Sequence, residues 1–384
     1  MIYPNLLAAL GYADAEIERR FREIRDSIFD PASPDSFYRE ADDGTAYVFD
    51  TGNNDVRTEG MSYAMMMAVQ MDDQAMFDRL WRWVMRNMYM EEGLHAGYFA
   101  WSCSLDGKKN SMGPAPDGEE YFACALLFAE NRWGNGERGG GTPDLFDYGA
   151  QARRLLATCI HRGEDGVGHS MWDRQRKLIK FIPDCDFSDP SYHLPHFYRI
   201  FAERVQSEDS AFWREAAAAS SRYVALAAHP KTGLSPEYSH WDGTPNGERG
   251  FGDFYSDSYR VAANIGLNAA WGDADPDLAL VADRILAFFD GKSPAEFRKY
   301  RIDGTPLDIP ALHPVGLVAT NAQAALALIG RDPSRTAASG LPPHAERAVR
   351  LFWNTPPRSG ERRYYDNCLY FFAFLALSGR YRAY

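Results

Sequence analysis

No stretch of this 384-residue chain strings together the roughly 18 apolar residues that a membrane-spanning helix requires, so no membrane partner is expected. The opening "MIYPNLLAALGYADAEIERRF" lacks a basic segment followed by an apolar core, and no signal peptide is read there. Cysteine is scarce. The five present (Cys103, Cys124, Cys159, Cys185, Cys368) are odd in number, scattered and without a CxxC pair, which fits core thiols in a reducing compartment and a cytoplasmic location. Positive charge is in deficit, 41 Lys and Arg against 53 Asp and Glu for a formal net charge of -12. Nucleic-acid binding draws much of its affinity from cations that neutralise phosphates, so a nucleic-acid partner is not expected and a neutral or cationic ligand fits better. HExxH, GxSxG and GxxxxGK[ST] are all missing, which leaves zinc hydrolysis, the hydrolase elbow and nucleotide chemistry without an anchor. No metal and no cofactor is expected.

What remains is a chain of ordinary globular composition, 45% hydrophobic and 24% charged, with helical periodicity nearly throughout. Ile17, Phe21, Ile24 and Ile28 fall on one stripe of a helix expected over residues 14 to 30 and ended by Pro31. Similar runs begin near 58, 73, 117, 145, 190, 209, 255, 275, 314, 342 and 364, making about twelve helices in six pairs. Nothing suggests a linker, so residues 1–384 read as one domain. "GNGERGGGTPD" (134 to 144) and "HWDGTPNGERGFGD" (240 to 253) read as loops, and "TAYVFD" and "GYFAWSCSL" as short β pieces in connections. One helix of each pair is amphipathic, as in "DDQAMFDRLWRWVMRN". The other is apolar on nearly every side, as in "GMSYAMMMAVQM", "YFACALLFA" and "CLYFFAFLAL". A helix apolar all round is buried all round. Alternating buried and half-wet helices point to an all-α fold, six inner helices inside six outer ones; an irregular array and a solenoid are the alternatives, the latter without a fixed sequence period.

The polar residues of the apolar helices gather at their N-terminal ends: Glu59, then Asp117, Glu119 and Glu120, then Tyr192 and His193, Asp257, His313, and Tyr364, Tyr365 and Asp366. In a ring of parallel inner helices those ends would share one rim. Helix capping is the competing explanation, with Asp117 as N-cap and Glu120 three residues on. Capping does not account for Arg57 beside Glu59 or for Arg260 three residues after Asp257. Tryptophans in loops (Trp101, Trp172, Trp241) offer flat faces for sugar rings, or apolar bulk for a core. Carboxylates without a nucleophile or metal motif point to acid/base hydrolysis. Glycosidic cleavage needs one protonated acid and one ionised carboxylate, roles that burial and a neighbouring cation can assign.

Five motifs, "DVRTEGMSYAMMMAV", "MGPAPDGEEYFACALLFA", "DPSYHLPHFY", "FYSDSYRVAANIG" and "ALHPVGLVATNA", together resemble glycoside hydrolase family 8, in order over roughly residues 45 to 375. Among its members they look most like those that release xylose from the reducing end of oligosaccharides. The resemblance implies an (α/α)6 barrel and an inverting mechanism. It implies Glu59 as general acid, Asp257 as general base and Tyr192 as a residue that holds the attacking water. Asp117 would bind the distorted sugar, Arg260 would steady the carboxylates, and Trp101 would be a stacking platform; Arg57, beside Glu59, is a further candidate for substrate binding. Tyr365 would contact sugar, and Leu312 and His313, with Pro314, would form the loop that closes the leaving-group side. The expected substrate is a xylo-oligosaccharide of three or more units. An endo-acting enzyme of the same family and a non-catalytic oligosaccharide-binding α-barrel are the alternatives.

Overall fold

A computed structural model describes residues 3–135, 145–205, 208–272, 274–331 and 340–384. Most of the loop expected over 134 to 144 lies outside these. Thirteen helices are present among the described residues: α1 (Leu6–Ala9), α2 (Asp14–Phe29), α3 (Thr58–Met71), α4 (Gln74–Asn87), α5 (Pro116–Trp133), α6 (Tyr148–His161), α7 (Pro195–Arg204), α8 (Asp209–Ala227), α9 (Arg260–Ala270), α10 (Pro276–Phe289), α11 (Pro314–Ala324), α12 (Pro343–Asn354) and α13 (Arg363–Leu377). Apart from α1, each starts within about six residues of its expected position, α7 and α9 showing the largest offsets. Strands occur as four two-stranded antiparallel pairs: β1 (Tyr38–Glu40) with β2 (Ala46–Val48), β3 (Val56–Arg57) with β4 (Ser102–Cys103), β5 (Trp172–Asp173) with β6 (Leu178–Ile179), and β7 (Arg298–Tyr300) with β8 (Pro306–Pro310). All lie in connections, as "TAYVFD" and "GYFAWSCSL" led one to expect.

The chain divides into two compact units. One comprises Ile28–Asp186, Phe197–Ala217 and Ala383–Tyr384. In it α3 packs against α5 and α4, and α5 against α6. From Gly60 to Gln70 every residue of α3 is buried, and so is every residue of α5 from Pro116 to Ala129. Their amphipathic neighbours bury one face only, Phe77, Leu80, Trp81 and Val84 on α4 and Ala152, Leu155, Leu156 and Ile160 on α6. Gly118 permits a close approach of α5 to α3, because a Cβ there would lie 2.5 Å from Cβ of Thr58.

The other unit comprises Met1–Ser27, Phe187–His196 and Ala218–Arg382. Here α11 packs on α13, α9 and α12. Every residue of α13 except Arg363 is buried, whereas α12 buries only Ala345, Val349 and Phe352. The alternation of wholly buried with half-wet helices therefore holds within each unit, and the fold is all-α, of the (α/α)6 class. All five cysteines are free, four buried and Cys185 half-buried. No helix among the described residues is long and apolar enough to cross a membrane.

Candidate active site

Three of the amphipathic helices are capped by side chains. Asp73 accepts from the N–H of Met76 on α4, Asp147 from that of Ala150 on α6, and Asp275 from those of Asp277 and Leu278 on α10. The buried helices are not: the N-cap positions of α3, α5, α11 and α13 are Arg57, Ala115, His313 and Arg362, none of which caps with its side chain. Asp117 is accordingly not the N-cap expected. Pro116 occupies the first helical position, with no N–H to satisfy, and so Asp117 falls inside the first turn, its Oδ1 accepting the N–H of Gly118 at 3.0 Å. Glu120 accepts from the Tyr198 hydroxyl at 2.5 Å instead of closing a capping box. Glu59 likewise stands second in α3. These acids sit where a helix N-terminus favours negative charge, without serving as caps.

Four of the expected site residues come together at the mouths of α3 and α5. β3 and β4 pair Arg57 with Ser102, and the N–H of Thr58 donates to the carbonyl of Trp101 at 3.0 Å, so Trp101 is fixed beside the start of α3. Its ring is 37% exposed and carries the Arg57 guanidinium 5.4 Å from its centroid. Arg57 pairs with Asp55 at 3.0 Å and Asp50 at 3.4 Å. Glu59 is half-buried and Asp117 buried, brought near by the close approach at Gly118. The wholly buried acid in this unit is Glu119, which accepts the N–H of Phe99 at 2.9 Å and which burial pushes well above the usual carboxylate range. Trp172, one of the three loop tryptophans, is a core residue: it is buried edge-on against Tyr198, Phe212 and Trp213.

A second set gathers in the other unit. Tyr192 ends a short 3-10 turn, Pro190–Tyr192, and Asp257 lies in another, Ser256–Tyr259, that leads into α9. Arg260, buried, reaches ion-pair distance of two carboxylates, 3.8 Å to Asp257 Oδ1 and 3.9 Å to Asp189 Oδ2, and lies 5.4 Å from the Tyr192 ring centroid. Asp189 is wholly buried, its Oδ1 taking the N–H of Ser191 at 2.7 Å and its Oδ2 without a hydrogen-bond donor. Burial raises it to about 8 against the pull of Arg260, and Asp257 adds to the rise. Glu237 is also buried and is raised to about 9 by burial, then by the charges of Asp257 and Asp189. Asp257 is the outward member, its side chain 34% exposed.

His313 begins α11 and Tyr365 lies in the first turn of α13; their rings meet edge-on with centroids 4.7 Å apart. Asp366, wholly buried, takes His313 Nδ1 at 2.9 Å, the Gly316 N–H at 2.7 Å and Arg358 Nη1 at 2.6 Å. The same Arg358 nitrogen donates to the carbonyl of Leu312 at 2.7 Å, so Leu312 and His313 are held by one ion pair. Tyr365 donates to the carbonyl of Ser256 at 3.4 Å, tying this group to the turn of Asp257.

Asp189, Glu237 and Arg358 were not foreseen. "DPSY" signals Asp189 only as a turn-forming aspartate, and nothing local marks Glu237 or Arg358.

The profile of glycosyl hydrolases family 8 matches residues 40–376. The chain belongs to glycosyl hydrolase family 8. This family 8 chain is 56% identical over 380 residues to a reducing end xylose-releasing exo-oligoxylanase of Halalkalibacterium halodurans, covering 99% of the chain and 94% of that protein. It is 51% identical to one of Paenibacillus barcinonensis, covering 100% and 97%. A crystal structure of a reducing end xylose-releasing exo-oligoxylanase superposes with a TM-score of 0.93 at 56% identity, covering 100% of this chain and 96% of that one. Structures similar to the same degree hold xylose and, in a mutant, xylobiose. As a family 8 member the protein is a glycoside hydrolase.

Proposed function

We propose that the protein hydrolyses β-1,4-linked xylo-oligosaccharides of three or more units, releasing xylose from the reducing end with inversion. The observation that carries this reading is identity above one half, over nearly the whole chain, to relatives named for that activity. The segment of Leu312 and His313 supports it: a wall beyond one leaving-group sugar needs a fixed position, and Arg358 and Asp366, themselves paired, give the segment two hydrogen bonds.

Glu59 is the general acid, donating its proton to the glycosidic oxygen; Asp257 is the general base, taking one from water that attacks the opposite face of the sugar. An inverting pair leaves room for that water, about 6.5 to 9.5 Å between carboxyls. The base must be ionised, and the distribution of protons in its cluster favours this. Asp189 and Glu237 retain theirs at neutral pH, which leaves the Arg260 charge to Asp257. Tyr192 orients the water, Asp117 binds the distorted sugar, Trp101 stacks on the non-reducing side, and Tyr365 and His313 meet hydroxyls toward the reducing end. Arg57 holds the acids around the Trp101 platform. Residues 1–384 act as one catalytic domain. Five free thiols suit work in the cytoplasm on imported oligosaccharides.

Xylotriose labelled at its reducing-end unit tests the reading. Label is expected in free xylose; label in xylobiose refutes reducing-end release. A ladder of products from polymeric xylan would mark an endo-acting enzyme, and intact xylotriose after long incubation a binding protein.

A further inference from the structure

Two carboxyl groups, Asp189 and Asp257, share one guanidinium, that of Arg260, and a third, that of Glu237, lies in the field of both. The cation whose charge acts on Glu237 is Lys299, which is engaged with Asp253 at 3.5 Å and with the Gly250 carbonyl at 2.9 Å. Glu237 is 2% exposed. Its own N–H donates to the Asp253 carbonyl at 3.0 Å, which pins its backbone. Its Oε1 faces the N–H of Asp257 at 3.5 Å, and its Oε2 is buried with no partner among the described residues. Tyr255 and Tyr259, on the turn that carries Asp257, lie in its field as well. Three carboxyls that raise one another in this way cannot all carry charge out of water, and the member with access to solvent is Asp257.

We propose that Glu237 is a positioning residue for Asp257: a carboxylic acid that stays neutral, accepts the peptide N–H of Asp257 through Oε1, and leaves Asp257 as the ionised member of the cluster. The proposal rests on the reading of Asp257 as general base. The proton resides on Oε2, the oxygen that has no donor facing it. An ionised Glu237 would instead set a second buried negative charge against the carboxylate of Asp257. Glutamine keeps the acceptor and the neutrality; leucine keeps only the approximate bulk.

Four measurements on the full-length protein test this. Glu237→Gln is expected to hold kcat within about threefold of wild type, while Glu237→Leu loses about tenfold or more in kcat with KM for xylotriose within about twofold. The acidic limb of the kcat/KM profile should be unmoved in Glu237→Gln. The infrared difference spectrum, wild type minus Glu237→Gln near neutral pH, should contain the carbonyl stretch of a protonated carboxylic acid. Wild-type kcat in Glu237→Leu, an acidic limb displaced downward by about a unit in Glu237→Gln, or absence of the carbonyl band overturns the proposal. The glutamine variant decides the matter even where the leucine variant does not fold. Asp257→Asn separates the two levels: if it keeps full activity, the base reading falls and this inference with it. If it is inactive while Glu237→Leu is unimpaired, the inference alone falls.

Discussion

Nδ1 of His313 lies 2.9 Å from Oδ2 of Asp366, the same carboxylate oxygen that accepts from Arg358 at 2.6 Å. A residue at the start of α11 is thus fixed by one in the first turn of α13. In Asp366→Asn the amide brings two donors to a position surrounded by donors from His313, Arg358 and Gly316, and one of them is left facing another N–H. A loss of about 3 kcal/mol in unfolding free energy is expected from the broken buried pair, read by urea denaturation. With His313 released, the wall beyond the leaving sugar loosens. Xylotetraose should then yield a measurable share of xylobiose pairs, in addition to xylose and xylotriose.

Glu59→Ala and Asp257→Asn are expected to lose about a hundredfold to ten-thousandfold in kcat, the usual range for a general acid or base. Both side chains are only partly buried, so circular dichroism and thermal midpoint should stay near wild type. An active Asp257→Asn would contradict the assignment of the base.

Gly118→Ala tests the approach of α5 to α3. A methyl group 2.5 Å from Cβ of Thr58 forces the two helix mouths apart, and overpacking of this kind costs about 1 to 3 kcal/mol. Activity should fall further than stability alone explains, because Glu59 and Asp117 sit on the displaced turns.

Stability should decline toward alkaline pH through the buried acids. Asp189 rises from 3.8 to about 8 on folding and Glu237 from 4.5 to about 9. Between those limits the folded state holds protons that the unfolded chain has released, so each rise in pH favours unfolding. The contribution is complete below about pH 4 and is lost as pH passes 8 to 9. Thermal midpoints of wild type should therefore fall from pH 5 to 9 more steeply than those of Glu237→Gln. Equal slopes would mean that Glu237 does not titrate with folding.

Much of the fold was legible because its signals are local. The stripe of Ile17, Ile24 and Ile28, the all-apolar run of α13 and the Pro at the first position of α5 and α11 each act within a few turns of helix. Proline also explains why Asp117 is not a cap: "PDGEE" contains both a favoured first residue and a favoured cap, and the first residue won. The candidate site was legible in its helix-mouth members, since Glu59, Asp117 and Asp257 interrupt apolar runs. Glu237 and Asp189 were not, because what distinguishes them is the company of Arg260 and of each other across 48 residues of chain. Of the two roles left open for Trp172, its ring takes the second, apolar bulk in a core.

The last helix carries a consequence for synthesis. Every proposed catalytic carboxylate is in place by residue 257, but the clamp on Leu312 and His313 needs Arg358 and Asp366, near the end of the chain. The proposed acid and base are thus synthesised before the residues that hold Leu312 and His313. A product shortened before α13 would lose Asp366 together with the buried helix on which α11 packs.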